Sequence, residues 1–387
     1  MRVLMISDVY FPRINGVSTS IETFRADLAA EGIGVRLIAP AYPGHHRHKN
    51  EAAIWRIPSR RVPFDPEDRL MHWRALERTA HGLASEGIDL IHVQTPFAAH
   101  YAGTRAARRH RVPVVATYHT HFEEYIGHYL PALPRTLLKA GARRIAASQC
   151  NDLDAVIVPS HAMHQTLGGY GVKAPLHVLP TGIPLRHFGQ GDGRRFRAAH
   201  AIAPERPLAL FVGRVAHEKN IGFLIEALAT AVKCSPDVLL VIAGEGPARL
   251  ALQRQARESG LAGNIRFVGY LDRDGELTDC YAAADVFVFA SRTETQGLVL
   301  LEAMAAGLPV YAQAEMGTRD ILGAQRGAII APDDAVEFGM GLASLLGNRY
   351  QLDTLAADAR DYAREWAAPA RARQLAGLYR SLATANA

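Results

Sequence analysis

Short, continuously apolar runs alternate with helix-like segments along both halves of this chain, and that rhythm restricts the fold more than any other feature. Residues 2–7, 35–39, 89–93, 113–118, 155–159 and 177–179 read as strands in the first half, and residues 208–212, 238–243, 265–268, 286–290, 309–312 and 328–330 repeat the pattern in the second. Runs that are apolar at every position belong to strands covered on both faces, and strands separated by helices pair in parallel. The sequence therefore predicts an α/β protein with two Rossmann-like, doubly wound parallel sheets. At 387 residues the chain exceeds one ordinary core and fits two domains. Residues 183–206, rich in Gly, Arg and Pro and poor in apolar periodicity, read as the linker between an N-terminal domain at 1–182 and a second domain at 207–356. A helix-like tail follows at 357–387. The first helix reads as opened by Thr19, with Glu22 three residues on as a capping box, and closed at Gly32.

Composition narrows the function classes. Cys150, Cys234 and Cys280 are far apart and lack metal-ligand spacing, which argues against a disulfide framework or a zinc site and for a reducing, cytoplasmic setting. The opening MRVLMISDVYF meets Asp8 after a few apolar residues and lacks a secretion-signal pattern, and no segment approaches the roughly 18 to 20 apolar residues of a membrane span. The net charge is +6 over residues 1–185 and −1 over residues 186–387. That bias favours an anionic partner, and a phosphate-rich membrane surface is one candidate. Nucleic acid is the other, but no nucleic-acid-binding motif or set of aromatic stacking positions accompanies the cations. Ordinary solvated arginine is the plain alternative.

The residues that carry chemistry cluster after strands, where ligands of such sheets bind. Glu294-Thr295-Gln296-Gly297-Leu298 lies between a strand-like run and a helix-like run, and Glu302 follows within the apolar stretch LVLLEAMAAG. An ionised carboxylate there needs a partner: a ribose diol offers two hydroxyl donors, and a paired Arg is the simpler alternative. Gly297 and the first amides of the helix suit phosphate oxygens, and Glu294 suits the hydroxyls of a hexose beyond. Arg214 and Lys219, in GRVAHEKN, supply two cations for a diphosphate, although such a pair taken alone is ordinary surface charge.

The spacing from Glu294 to Glu302 resembles the E-x7-E signature of retaining glycosyltransferases of the GT-B fold, the large family that includes glycogen and sucrose synthases and bacterial lipid glycosyltransferases. The usual form has Phe where Thr295 or Gln296 stands. The resemblance covers nearly the whole chain. It implies two domains facing a central cleft, the first binding the acceptor and the second the nucleotide sugar, and a last helix that crosses back onto the first domain. It implies further roles. Gly16 would let backbone approach the donor phosphates, His119 would contact the hexose and help stabilise positive charge at its anomeric carbon, and Gly244 and Gly246 would form a glycine turn beside the nucleotide. Val268, Tyr270 and Leu271 would offer backbone to the base. Turn glycines and a structural histidine are the bland readings of these positions. GEGP at 244–247 is not a dinucleotide fingerprint, which disfavours a nicotinamide enzyme.

Asp152 and Asp154 form a D-x-D, the metal signature of the other main glycosyltransferase fold, but they precede a strand and belong at the amino edge of the sheet. No metal or cofactor is expected beyond the nucleotide sugar as co-substrate. With the acids assigned to hydroxyls, none is left as a nucleophile, and the expected chemistry is front-face substitution with retention. The stretch 118–129 and the sequence PTGI at 180–183 resemble diacylglycerol glucosyltransferases and sulfolipid synthases, with Pro184 in place of their acid. Leu130, Leu133, Leu137 and Leu138 with Arg135, Lys139, Arg143 and Arg144 suit an interfacial helix or, equally, a domain helix with a solvated basic face. Arg69, Arg74 and Arg78, or Arg105, Arg108, Arg109 and Arg111, suit the same surface. The expected activity is transfer of a hexose, from UDP-hexose or alternatively GDP-mannose, to a membrane lipid. A soluble acceptor, a sugar-nucleotide epimerase and a non-catalytic sugar-binding protein are the alternatives.

Overall fold

Strands buried on both faces require helices on each side of the sheet, and the chain builds two such sheets. The computed structural model describes residues 1–43, 53–62, 65–119, 135–273 and 275–385. One unit comprises Met1–Gly182 with Ala368–Ala387, the other Ile183–Ala367. The first contains β1 (Arg2–Ile6), β2 (Gly34–Pro40), β3 (Ile54–Ile57), β4 (Ser59–Val62), β5 (Asp65–Met71), β6 (Leu90–Val93), β7 (Val114–Thr117), β8 (Ala155–Val158) and β9 (Leu176–Val178). Seven of these form a parallel sheet in the order β3-β2-β1-β6-β7-β8-β9, and β4 and β5 pair antiparallel. The second contains β10 (Leu208–Val212), β11 (Leu239–Ala243), β12 (Ile265–Gly269), β13 (Val286–Phe289), β14 (Val310–Ala312) and β15 (Ala328–Ile330), a parallel sheet in the order β12-β11-β10-β13-β14-β15. Both are doubly wound: the order reverses between β1 and β6 in one and between β10 and β13 in the other.

Several local expectations change. The first helix runs Gly16–Leu28, four residues earlier than the Thr19 cap suggests, because Asn15 caps it by accepting from the Ser18 amide at 2.8 Å. Glu22 serves elsewhere, accepting from Arg25 at 2.8 Å and from the Tyr10 hydroxyl. Strands β3, β4 and β5 went unread because arginines and acids interrupt their apolar pattern.

Residues 183–206, read as a linker, fold onto the second unit. Phe188, Phe196 and Ile202 are buried in its core, and Arg195 grips Asp279 through two hydrogen bonds of 2.6 and 2.8 Å. Gly191 and Gly193 permit this docking: a Cβ at either would stand 2.1 Å from the Thr278 carbonyl oxygen or 2.3 Å from that of Ala282. The tail read as one helix at 357–387 is split. Arg349–Arg364 ends in the second unit, the Ile183 amide donates to the Trp366 carbonyl at 2.8 Å, and a new helix, Ala368–Ala385, starts with Pro369 in its first turn and joins the first unit.

That returning helix is fastened through Tyr379, which is fully buried and lies 2.5 Å from His92 Nδ1, while His92 Nε2 lies 2.8 Å from Thr117 Oγ1. Burial pushes the His92 imidazole down to about 3, so the fold holds it neutral. The unfolded chain takes up that proton near 6.5, the folded chain only near 3, so this contribution is intact above pH 6.5 and is lost as pH falls toward 3. The loss should approach about 1.4 kcal/mol per pH unit for this group alone. Urea unfolding from pH 7 to pH 4.5 should show the decline, and a His92→Gln variant should show a shallower one.

Candidate functional site

Polar side chains gather at the carboxyl end of each sheet, beside the strands where the order reverses. In the second unit, Arg214 follows β10 directly and is half-buried, and Lys219 ends a single turn of 3₁₀ helix, His217–Lys219. Asn220, left-handed at φ 54°, starts the next helix and donates from Nδ2 to the Ala290 carbonyl at 3.2 Å. The loop after β10 is thereby tied to the loop after β13. Ser291 Oγ donates to the Glu218 carbonyl at 3.3 Å, and Lys219 Nζ forms an ion pair with Glu294 Oε1. The structure thus brings together the two residues that the sequence assigned separately to phosphate and hexose.

Backbone lies directly on backbone around this pair. The Val215 amide donates to the Glu245 carbonyl at 2.8 Å, the Ala248 amide to the Val215 carbonyl at 3.0 Å and the Gly244 amide to the Gly269 carbonyl at 2.7 Å. A Cβ at Gly244 would stand 2.0 Å from the Gly213 carbonyl oxygen and one at Gly246 2.4 Å from that of Val215. The fold itself therefore requires both glycines. The loop 294–297 is braced in the same way: the Gly317 amide donates to the Glu294 carbonyl at 2.8 Å, and a Cβ at Gly317 would stand 2.0 Å from the Thr295 oxygen. Gln296 is buried, Thr295 and Leu298 half-buried, and Gly297, at φ 93°, precedes the helix Leu298–Ala305. Val268 and Leu271 are half-buried and Tyr270 is exposed.

Glu302 sits on the inner side of that helix, 3% exposed among Leu300, Leu301, Ala303 and Met304. Its Oε1 accepts from Arg273 Nη2 at 2.9 Å and its Oε2 from the Tyr281 hydroxyl at 3.0 Å. The chain thus supplies the Arg partner weighed as the simpler alternative to the ribose, for the physical reason that a carboxylate so deeply enclosed needs a counter-charge of its own. Neither Arg273 nor Tyr281 was picked out in the sequence. The arginine in LDRD is one cation among many, and the tyrosine lies in a helix whose inward side only the fold defines.

In the first unit, Asp8 follows β1 and caps the helix Ala98–His110. Thr95 Oγ1 donates to its Oδ2 at 2.7 Å, and the Ala99 amide lies 3.1 and 3.3 Å from its two oxygens. Burial pushes its carboxyl up to about 6. His119, half-buried after β7, has Nε2 2.8 Å from Gln94 Oε1, and desolvation lowers it to about 4, so it is a neutral hydrogen-bonding group at physiological pH. Asp8, Gln94 and Thr95 were not singled out in the sequence. Gly16, the first residue of its helix, faces open space: a Cβ there would meet nothing within 4 Å.

The remaining expectations are less central. Asp152 pairs with Arg108 at 2.8 Å, and Asp154 accepts from the Val114 amide at 2.7 Å, at the amino edge of β7. Of the stretch 118–129, only Tyr118 and His119 lie within the described residues, and Leu130 and Leu133 lie outside them. In the helix Arg135–Asn151, Leu138, Ala142, Ala146 and Cys150 turn into the core, and Arg143, Arg144 and Ile145 are exposed. Arg105 is paired with Glu77 at 3.3 Å. Among the described residues no helix is long and apolar enough to cross a membrane.

Comparison with known proteins bears on both units. Residues 14–187 match the family described as Glycosyltransferase Family 4, and residues 192–366 match Glycosyl transferases group 1. The chain is 33% identical to the alpha-monoglucosyldiacylglycerol synthase of Streptococcus pneumoniae, over 87% of this chain and 80% of that protein. It is 30% identical to a GDP-mannose-dependent alpha-mannosyltransferase of Mycobacterium tuberculosis, over 86% and 84%. The structure of Anabaena HepE in complex with UDP-glucose superposes with a TM-score of 0.78 at 20% identity, covering 98% of this chain and all of that one, a likeness of fold.

The different footing of the glycines is open to measurement. Gly244→Ala should lower the stability of the second unit by about 1–3 kcal/mol, through the forced retreat of backbone from backbone. Gly16→Ala should leave the melting temperature unchanged or raised, and differential scanning fluorimetry compares the two directly.

Proposed function

The chain belongs to the glycosyltransferases of group 1 and family 4, which share the GT-B fold, and on that premise we propose that it transfers a hexose from a nucleotide sugar to a membrane-lipid acceptor with retention of configuration. The observation that carries the reading is the Lys219–Glu294 pair at the reversal point of the second sheet, flanked by Arg214 and the start of the helix Leu298–Ala305. A leaving nucleoside diphosphate gathers negative charge as the glycosidic bond breaks, and Arg214, Lys219 and the helix amides are the groups that meet it. Glu294 accepts from hydroxyls of the hexose, Glu302 from the ribose diol, and backbone at Val268, Tyr270 and Leu271 borders the base. Gly297 leaves room for phosphate oxygens at the helix start, and Gly16 is assigned the same part. His119, neutral and hydrogen-bonded to Gln94, is assigned contact with the hexose and support of the positive charge that develops at its anomeric carbon.

With both acids engaged on hydroxyls, the departing phosphate itself takes the proton of the attacking acceptor. No carboxylate nucleophile and no metal enters this reading. UDP-hexose is the first donor to try, since the fold neighbour HepE was captured with UDP-glucose, and GDP-mannose the second, since an equally well covered relative uses it. A lipid acceptor is supported by the diacylglycerol glucosyltransferase relative and by the basic excess of the first half. A soluble acceptor is the second reading, favoured by the burial of Leu138, which takes one leucine away from any interfacial face.

Release of nucleoside diphosphate from UDP- and GDP-sugars, measured with and without a total lipid extract, tests the assignment. Turnover that depends on lipid, together with co-sedimentation with anionic liposomes, is the expected result, and turnover with soluble glycan alone would select the second reading. Lys219→Ala should lower kcat by about two to three orders of magnitude. Glu294→Gln should lower kcat while leaving the affinity for the free nucleoside diphosphate within about twofold, read by calorimetry.

A further inference from the structure

The enclosed carboxylate of Glu302 is held from two directions by groups that do nothing else in the scheme above. Arg273 lies just past the end of β12, two residues beyond Leu271, and reaches Oε1 at 2.9 Å. Tyr281, on the helix Glu276–Ala283, reaches Oε2 at 3.0 Å. The tyrosine ring is itself fixed, with Phe188 edge-on at 6.0 Å between centroids and Phe287 tilted at 6.1 Å. The Glu302 side chain retains 4% of its surface and that of Arg273 23%, so water cannot solvate the anion and the guanidinium must. A carboxylate has about four acceptor positions and these two donors use one on each oxygen, which leaves one on each. Two acceptors on adjacent oxygens are what the two hydroxyls of a cis diol require.

We propose that Arg273 is the positioning residue of the nucleotide site: with Tyr281 it holds the Glu302 carboxyl group turned so that its remaining lone pairs receive the ribose diol. The proposal rests on the ribose role given to Glu302 above. It adds a mechanical link, because the same ion pair joins the loop that follows β12, bordering the base, to the helix that carries the carboxylate.

Diol preference is the readout that a merely structural pair would not move. Affinities for uridine 5′-diphosphate and its 2′,3′-dideoxy form are measured by calorimetry, with the guanosine pair alongside, for the wild-type chain and for Glu302→Gln, Arg273→Met, Arg273→Lys and Tyr281→Phe. The wild-type chain should prefer the diol by about tenfold or more, the loss expected of hydrogen bonds to a charged acceptor. Glu302→Gln and Arg273→Met should bring the ratio near one, Arg273→Lys should restore part of it, and Tyr281→Phe should reduce it by about threefold or more.

A wild-type ratio in Glu302→Gln would refute the ribose role itself and the proposal with it. A ratio lost in Glu302→Gln but kept in folded Arg273→Met would overturn the proposal alone. Should Arg273→Met fail to fold, a wild-type ratio in both Arg273→Lys and Tyr281→Phe would overturn it equally.

Discussion

Backbone resting on backbone is the constraint on which the second unit's site depends. Chemistry after a strand needs loops that keep their shape without a ligand, and loops ordinarily hold shape poorly because their amides and carbonyls compete for water. Here the loops after β10, β11 and β12 share hydrogen bonds from Gly213 to Ala243, from Val215 to Glu245 and from Gly244 to Gly269, at separations that leave no volume for a side chain at Gly244. The loop after β13 is held the same way across Gly317. Lys219 and Glu294 meet because their supports are already locked together, and the ion pair is a result of that rigidity more than its source.

The first unit solves a related problem with side chains. Asp8, Thr95, Gln94 and His119 connect the ends of β1, β6 and β7, and burial acts on them in opposite senses: it raises the Asp8 carboxyl to about 6 and lowers the His119 ring to about 4. Both shifts favour the uncharged form. His119 is therefore a neutral imidazole hydrogen-bonded to Gln94, which suits a hydrogen-bonding role better than proton transfer.

What the sequence revealed and what it hid divide along physical lines. The strands of both parallel sheets were legible wherever burial on both faces left nothing but apolar residues, as in Leu208–Val212 and Leu239–Ala243. Ile54–Ile57 and Asp65–Met71 escaped because strands at an edge or in a hairpin tolerate arginine and acid. The apparent linker was misread for a similar reason: its apolar residues are few, yet Phe188, Phe196 and Ile202 each find the core, and the Arg195–Asp279 pair joins positions 84 residues apart. At the site, Arg214, Lys219, Glu294 and Glu302 stood out because a charge after a strand or inside an apolar helix is anomalous in one dimension. Arg273 and Tyr281 did not, because only the folding of the β12 loop against the helix Leu298–Ala305 makes them partners.

The close approach at Gly317 has a bearing on how such a protein diversifies. With no room for a methyl group beneath the Thr295 carbonyl, the path of the segment from Glu294 to Gly297 is tied to Gly317, and a bulkier residue there would dislodge it. Along that fixed path a substitution changes the side chain presented, as at half-buried Thr295, and not the course of the backbone. A backbone so fixed lets side chains change while the geometry beneath them stays put.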